Sequence, residues 1–360
     1  MSKTKIIHIV EAFGGGVFTY LVELANSMSD EFDIVIAYAK RKQTPDNFKE
    51  YFNENIKLVE IQNFTRSINP IKDLKACVEI KKLIKNEQPD VVHMHSSKAG
   101  IIGRITISSK NKKLFYTPHG YSFFKQDDSK LKRFMYKTIE KIAAMIRPSC
   151  KIIACSKGEY EESLKLSKNS TYINNGVNTE KIDSLVDKDN VRIFDVNNLK
   201  ICIIGRIGYQ KNPELFNKIA EKFPEIQFTW IGDGELRNSL TSNNIIITGW
   251  KNREEVIHEV ESNDIFILPS LWEGLPIALL EAMYLKKICI VSNVIGNKDV
   301  IENEVNGFIC NGLNDYVEVI NRIKSLKYDL NKIFIRSVSD IKNVYNTKVM
   351  SESYYNLYMK

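Results

Sequence analysis

The sequence has 360 residues, 43% apolar and 26% charged, the proportions of a folded globular chain rather than a disordered or fibrous one, and a length that suits two domains of about 150–200 residues. No apolar run approaches the roughly 18–20 residues of a membrane-spanning helix, and Met1-Ser2-Lys3-Thr4-Lys5-Ile6 runs straight into a strand-like segment, so neither anchor nor secretory leader is expected and the expected location is the cytoplasm. The net charge of +7 is lopsided, since residues 1–150 carry 25 Lys and Arg against 16 Asp and Glu and the remainder 26 against 28; this points to an anionic substrate or an anionic membrane surface and, without a nucleic-acid-binding motif, away from DNA and RNA.

From the N-terminus, short β-branched runs predict strands at 6–10, 33–38, 56–61, 91–95, 114–117, 152–154 and 171–173. Amphipathic stretches at 17–28, 71–85 and 130–146 predict helices between them. The polar stretch 179–198 lacks periodicity and predicts a hinge. Strands at 201–204, 227–231, 245–248, 265–268 and 288–291 then alternate with helices at 213–222, 253–262, 277–285 and 316–326. Such alternation predicts an α/β architecture with parallel sheets covered on both faces. The expected domains are 1–178 and 199–345, two Rossmann-like units facing each other across a cleft at the carboxyl ends of their strands. A last helix, 346–360, is expected to pack back on the first domain.

The chemistry-bearing residues sit at the ends of these strands. Gly14-Gly15-Gly16 follows the first strand as a loop that lets a phosphate or sugar approach, with Gly15 and Gly16 as donor-binding candidates. Tyr38-Ala39-Lys40 ends the second strand without the acidic residue a dinucleotide-binding dehydrogenase needs. His93 and His95 share one face of their strand; His-x-His invites a metal reading, but no third ligand lies nearby in sequence, so no metal is expected. His95, Ser96 and Lys98 are acceptor-side candidates. His8, inside the first strand, and His258, on a helix, read as structural. Asp127-Asp128 is expected to cap the helix at 130–146, which with Arg147 just beyond it carries Lys130, Lys132, Arg133, Lys137 and Lys141 beside an apolar part of Phe134, Met135, Ile139, Ile142, Ala143 and Ile146. It reads either as a core-packed helix with a solvated basic face or as a face resting on anionic lipid. Asp187-Lys188-Asp189 spells D-x-D, but in a polar stretch with no flanking strand. The six cysteines form no C-x-x-C pair and read as buried reduced thiols.

In the second half, Gly205-Arg206-Ile207-Gly208-Tyr209-Gln210-Lys211-Asn212 turns from strand to helix, offering Arg206 as a planar fork and Lys211 as a mobile point charge to phosphate oxygens. Gly232-Asp233-Gly234-Glu235 and Gly249-Trp250 follow the next two strands. Glu273-Gly274-Leu275-Pro276-Ile277 then leads into a helix whose Pro276 suits its first position and whose free N–H groups favour an anion; Glu281 lies within that helix.

These segments, with Asn175-Gly176-Val177-Asn178 and Asn306-Gly307-Phe308, resemble the retaining GT-B glycosyltransferases of family 4, in which two glutamates stand eight residues apart, here Glu273 and Glu281. The resemblance covers nearly the whole chain. It implies that Arg206 and Lys211 hold the diphosphate of a nucleotide sugar and Glu281 its ribose hydroxyls. Glu273 and the backbone from Gly274 through Leu275 and Pro276 to Ile277 would hold the donor sugar. Gly205, Gly232 and Gly249 would line the nucleotide site. Thr117-Pro118-His119-Gly120 resembles the family's active-site histidine, which makes His119 catalytic together with Glu273, Arg206 and Lys211. The segment from His95 to Gly100 resembles members that assemble capsule or O-antigen, which implies a lipid-diphosphate-linked or oligosaccharide acceptor. Family resemblance favours a UDP-linked donor, with GDP and dTDP open, and no cofactor is expected; the charge excess of residues 1–150 and the basic helix point to a position on the inner face of the membrane. A sugar-nucleotide epimerase or hydrolase of the same fold, or a non-catalytic partner subunit, are the alternatives.

Overall fold

The computed structural model describes residues 3–41, 43–65, 67, 69–186 and 194–360. The chain divides into two compact units: residues 1–124, 128–175 and 347–360 form the first, and residues 125–127 and 176–346 the second.

The first unit is built on a parallel sheet of β1 (Lys5–Phe13), β2 (Asp33–Lys40), β3 (Lys57–Glu60), β4 (Val91–His95), β5 (Lys113–Thr117), β6 (Lys151–Ala154) and β7 (Ser170–Tyr172), in the order β3-β2-β1-β4-β5-β6-β7. β1 is nearly all buried because helices cover both faces of a parallel sheet, hence its run of Ile and Val in place of alternation. The helices are α1 (Gly15–Met28), α2 (Pro70–Glu87), α3 (Ser97–Thr106), α4 (Lys130–Ile146) and α5 (Lys157–Leu164). α2 starts where Asn69 accepts the Lys72 N–H at 3.0 Å, with Pro70 at its first position. α3 is absent from the sequence-based expectation because Gly100 and Gly103 interrupt its periodicity. Gly100 is required by packing: a Cβ there would stand 2.2 Å from the Tyr116 ring.

α4 lies the other way up from a core-packed helix. Its buried face is Glu140, Ala143 and Ala144, and Glu140 pairs with the buried Arg104 of α3 while accepting the Tyr116 hydroxyl at 2.8 Å. Removing one partner of such a buried pair costs about 3–5 kcal/mol. The opposite face exposes Leu131, Phe134, Met135, Ile142, Met145 and Ile146, the first two at 78% and 70%. The helix is capped by Ser129, which accepts the Lys132 N–H at 3.3 Å, and not by Asp127 or Asp128; Asp128 instead pairs with the Lys132 ammonium.

The second unit repeats the plan with β8 (Lys200–Ile204), β9 (Gln227–Ile231), β10 (Ile245–Ile247), β11 (Ile265–Leu268), β12 (Ile288–Ser292) and β13 (Phe308–Cys310), all parallel and ordered β10-β9-β8-β11-β12-β13. Its helices are α6 (Thr179–Leu185), α7 (Pro213–Glu221), α8 (Arg253–Glu261), α9 (Ile277–Tyr284), α10 (Leu313–Lys324) and α11 (Leu330–Asn343). α6, capped by Asn178, occupies part of the stretch expected to be irregular; Asp187-Lys188-Asp189 lies outside the described residues. β13 is too short to show in periodicity.

α12 (Thr347–Met359) closes the first unit by packing on α1, with Tyr354 and Tyr358 fully buried and the Tyr358 carbonyl accepting from Lys113 Nζ at 2.8 Å. All six thiols are free and five are buried. Among the described residues no helix is long and apolar enough to cross a membrane.

Candidate active site

In both sheets the strand order reverses between two neighbours, β1 and β4 in the first unit and β8 and β11 in the second. Loops leaving the carboxyl ends of such strands diverge, and ligands bind in the crevice this opens.

In the second unit the loop after β8 carries Arg206 and Lys211, and the loop after β11 carries Glu273. Gly205 (φ +140°) and Gly232 (φ +137°) let the strand ends approach so closely that a Cβ on Gly232 would stand 2.3 Å from the Gly205 carbonyl oxygen. Gly249 (φ +76°) bridges to Gly232. A short turn, Tyr209–Lys211, ends at Asn212 (φ +51°), whose side chain caps α7. That turn aims Lys211 Nζ at Glu273 Oε1, 2.6 Å away. Ser270 Oγ donates to the same oxygen at 2.7 Å, and Gln210 Nε2 donates to Oε2 at 3.2 Å. The Leu271 N–H bonds the Gln210 carbonyl at 2.8 Å, tying the two loops together. Arg206 Nε meets Glu235 Oε2 at 2.7 Å, with both side chains partly in solvent.

Gly274, Leu275 and Pro276 form a buried turn that leads into Ile277, the first residue of α9. Pro276 is the cap residue with extended backbone, one position before the first helical residue, and not the first helical residue itself. Glu281, 2% exposed, pairs with Arg253 at the start of α8. Sequence reasoning missed Gln210, Ser270 and Arg253 as partners of the two glutamates, because nothing local links them. It also missed Gly296, where a Cβ would lie 2.4 Å from the Gly274 carbonyl oxygen; Gly296 in the loop after β12 was the available signal.

In the first unit the glycine run is less of a loop than expected, for Gly15 (φ +55°) and Gly16 already begin α1; a Cβ on either would meet nothing within 4 Å. Ser96 (φ +83°) donates to Glu11 Oε2 at 3.2 Å. Lys98 is bound to α2 and the loop before it, pairing with Asp73 at 2.6 Å and donating to the Thr65 and Ser67 carbonyls. His95 does not line a surface; it is fully buried, with Nδ1 3.0 Å from His119 Nε2 and Nε2 3.0 Å from His8 Nδ1. His8 therefore has a more specific place than a generic core residue. It also supplies the third histidine that His93 and His95 lack in sequence, since nitrogens of all three lie within 4.8 Å of one another. His93 bonds the Tyr358 hydroxyl at 2.6 Å and the Thr117 hydroxyl at 2.8 Å. His258 stays apart on α8, near Glu254 and Glu261.

Burial holds these imidazoles neutral. His8 and His119 are pushed down to about 3, and His93 and His95 well below the usual histidine value by burial and by the neighbouring rings. His119 keeps part of its surface accessible and sits at φ +53°, a backbone state costly for a residue with a Cβ. Buried Glu159 of α5 holds that turn: its Oε1 accepts the Gly120 N–H at 2.6 Å and its Oε2 the Cys155 N–H at 2.8 Å.

Comparison with known proteins gives consistent matches along the chain. Residues 14–181 match the family model described as Glycosyltransferase Family 4, and residues 187–340 that of Glycosyl transferases group 1. A protein of Escherichia coli, UDP-Gal:alpha-D-GlcNAc-diphosphoundecaprenol alpha-1,3-galactosyltransferase, is 30% identical over 98% of this chain and 99% of its own length. The N,N'-diacetylbacillosaminyl-diphospho-undecaprenol alpha-1,3-N-acetylgalactosaminyltransferase of Campylobacter jejuni is 21% identical over 82% of each chain. Among solved structures, sucrose-phosphate synthase from Thermosynechococcus elongatus superposes with a TM-score of 0.81 at 16% identity, covering 99% of this chain and 98% of that one, a likeness of fold.

Proposed function

The chain belongs to glycosyltransferase family 4 and has the GT-B fold of two Rossmann-like domains, and on that premise we propose that it moves a sugar from UDP to a sugar carried on a lipid diphosphate, with retention of configuration and without a metal, in the synthesis of a surface polysaccharide. The observation that carries this reading is the convergence of Lys211, Gln210 and Ser270 on the Glu273 carboxylate where the second sheet reverses. A carboxylate so held is fixed in place to meet sugar hydroxyls. Lys211 and Arg206 are two cations on one loop, and a departing nucleoside diphosphate, gaining negative charge as the glycosidic bond breaks, is what they would stabilise. The free N–H groups at the start of α9 add to that field. Glu281, set against Arg253, would accept from the ribose hydroxyls. The leaving diphosphate takes the acceptor's proton on the face it departs from, which preserves the anomeric configuration. The Escherichia coli relative's name supports this, since nucleotide-linked galactose is an α-glycoside and the named product is α-1,3. It also supports the acceptor, a sugar on diphosphoundecaprenol.

Incubation with a panel of UDP-sugars and a synthetic polyprenyl-diphosphate sugar tests this. An α-linked disaccharide lipid is the expected product. An epimerised or hydrolysed nucleotide sugar with no transfer would replace the reading with that of an epimerase or hydrolase, and absence of UDP binding with that of a non-catalytic subunit.

The exposed face of α4 favours a docking role for the first unit. Leu131, Phe134, Met135, Ile142, Met145 and Ile146 follow helical spacing as one stripe, with Lys130, Lys137 and Lys141 along one side and Lys132 along the other. An apolar stripe bordered by cations matches the acyl boundary of an anionic leaflet beneath its headgroups. Arg133 belongs to neither, being half-buried. Phe134→Glu with Met145→Glu should abolish co-sedimentation with anionic liposomes while transfer to a short soluble acceptor persists. Wild-type protein that ignores such liposomes at low salt would end this reading.

A further inference from the structure

Four of the chain's five histidines meet inside the first unit. Three of them form a line: His119 Nε2 to His95 Nδ1, then His95 Nε2 to His8 Nδ1, each 3.0 Å. His93 stands beside the line, its ring 4.0 Å from that of His95, with both its nitrogens engaged by hydroxyls. His8 Nε2, buried, has no hydrogen-bond partner.

A neutral imidazole carries one N–H, so His95 must donate through one nitrogen and accept through the other. The direction of the line is therefore all or none. If it runs outward, His8 Nδ1–H donates to His95 Nε2, His95 Nδ1–H donates to His119 Nε2, and the proton of His119 is on Nδ1. If it runs inward, His119 Nε2–H and His95 Nε2–H donate, and His8 must carry its own proton on Nε2, a buried N–H without an acceptor. A buried unpaired N–H is rarer in proteins than an under-used acceptor, so the outward direction is the stable one.

We propose that His8 and His95 are positioning residues that hold His119 as the Nδ1–H tautomer, with Nε2 committed inward and Nδ1–H presented as the donor to the transferred sugar. The proposal rests on the reading of His119 as a donor-site residue. The backbone geometry agrees with it: the strained φ of His119 and the Glu159 clamp on Gly120 fix the ring's place, and the histidine line fixes its proton. A metal held by His8, His93 and His95 is the competing use of the same side chains. Five of those six ring nitrogens are already in hydrogen bonds, and no carboxylate is in the cluster to offset a buried dication.

The test reads the tautomer directly by side-chain nitrogen NMR of the intact, histidine-labelled protein, alongside turnover and UDP affinity. Wild type should show His119 protonated at Nδ1. His8→Phe should lose that single tautomer and lower kcat on the order of 10-fold or more, with UDP affinity unchanged as the control for folding. His8→Asn, whose amide N–H can replace Nδ1–H, should recover both. A His119 that keeps Nδ1–H and full turnover in His8→Phe overturns the proposal, as does stoichiometric metal in the purified wild type that His8→Phe loses. Failure of the donor-site reading looks different: His119→Ala would then retain turnover whatever tautomer the wild type shows.

Discussion

The two sheets reverse strand order in the same way, yet the first adds at its turning point a buried cluster of neutral imidazoles that the second, among the described residues, lacks. In the second unit the turning point is charged: Lys211 against Glu273, Arg206 against Glu235, and Arg253 against Glu281. In the first unit the charged pairs Arg41 with Glu11 and Lys98 with Asp73 stand beside a neutral cluster, four imidazoles bonded to one another or to the hydroxyls of Thr117 and Tyr358 and largely out of water. Arg206 and Glu235, both partly in solvent, can exchange partners when an anionic ligand arrives. A buried neutral network cannot, because any added proton there lacks solvation. The charged arrangement would suit the proposed holding of a diphosphate, and the neutral one the fixing of hydrogen-bond directions.

The contrast can be broken most sharply on the charged side. Lys211→Ala and Arg206→Ala are each expected to lower turnover by about 10²-fold or more through lost stabilisation of the leaving group, with ligand-free melting hardly altered. Near-normal steady-state rates in either variant would remove that cation from the site. The two glutamates should then separate by ligand. Glu281→Gln is expected to weaken UDP binding by about 10-fold, roughly 1.4 kcal/mol, whereas Glu273→Gln keeps UDP affinity and loses turnover; equal affinity losses in calorimetry would mean the roles are wrongly divided.

The neutral side responds to protons instead. Because His8 and His119 titrate near 3 in the fold and His93 and His95 well below their usual value, the unfolded chain binds protons that the folded chain refuses. Their stabilisation is complete above about pH 6.5 and is lost as pH falls toward 3, by up to about 1.4 kcal/mol per pH unit for each histidine. Tyr20, Tyr354 and Tyr358 around them stay neutral throughout, since burial raises their values. Denaturation between pH 7 and 4.5 should follow this slope, shallower by about one proton in His8→Phe; flat stability across that range would contradict neutral burial. The smallest effect belongs to chelation. EDTA should leave transfer nearly unchanged, and a complete loss restored by Mg²⁺ or Mn²⁺ would place a metal where Arg206 and Lys211 are thought sufficient.

How much could be read from the chain alone follows the same division. The charged loops were legible because each is a local string: Gly205 to Asn212 and Glu273 to Glu281 carry their glycines, cations and carboxylates at short fixed offsets. The histidine line was not, because His8 and His95 are 87 residues apart and become neighbours only through the parallel pairing of β1 with β4, which sets His8 beside His93. α4 shows a third kind of limit. Its periodicity predicts an amphipathic helix, but Ala143, read with the apolar part, lies on the buried face and the lysines flank an exposed apolar stripe, because Arg104 reaches Glu140 from another helix. Lys98, an acceptor-side candidate in sequence, is taken up by Asp73 for the same non-local reason. Gln210, Ser270 and Arg253 are ordinary polar residues until folding brings them to the glutamates.

The place of α12 has a consequence for how the protein is made. Residues 347–360 complete the first unit, where Tyr358 supplies the hydroxyl that His93 needs. Yet they leave the ribosome after every residue of the second unit. The half of the chain synthesised first is thus finished last, and until then its nascent sheet waits with a tyrosine-shaped gap beside His93 and Phe115. During that interval the second unit can already be folded. Order of synthesis and order of completion run in opposite directions along this one chain.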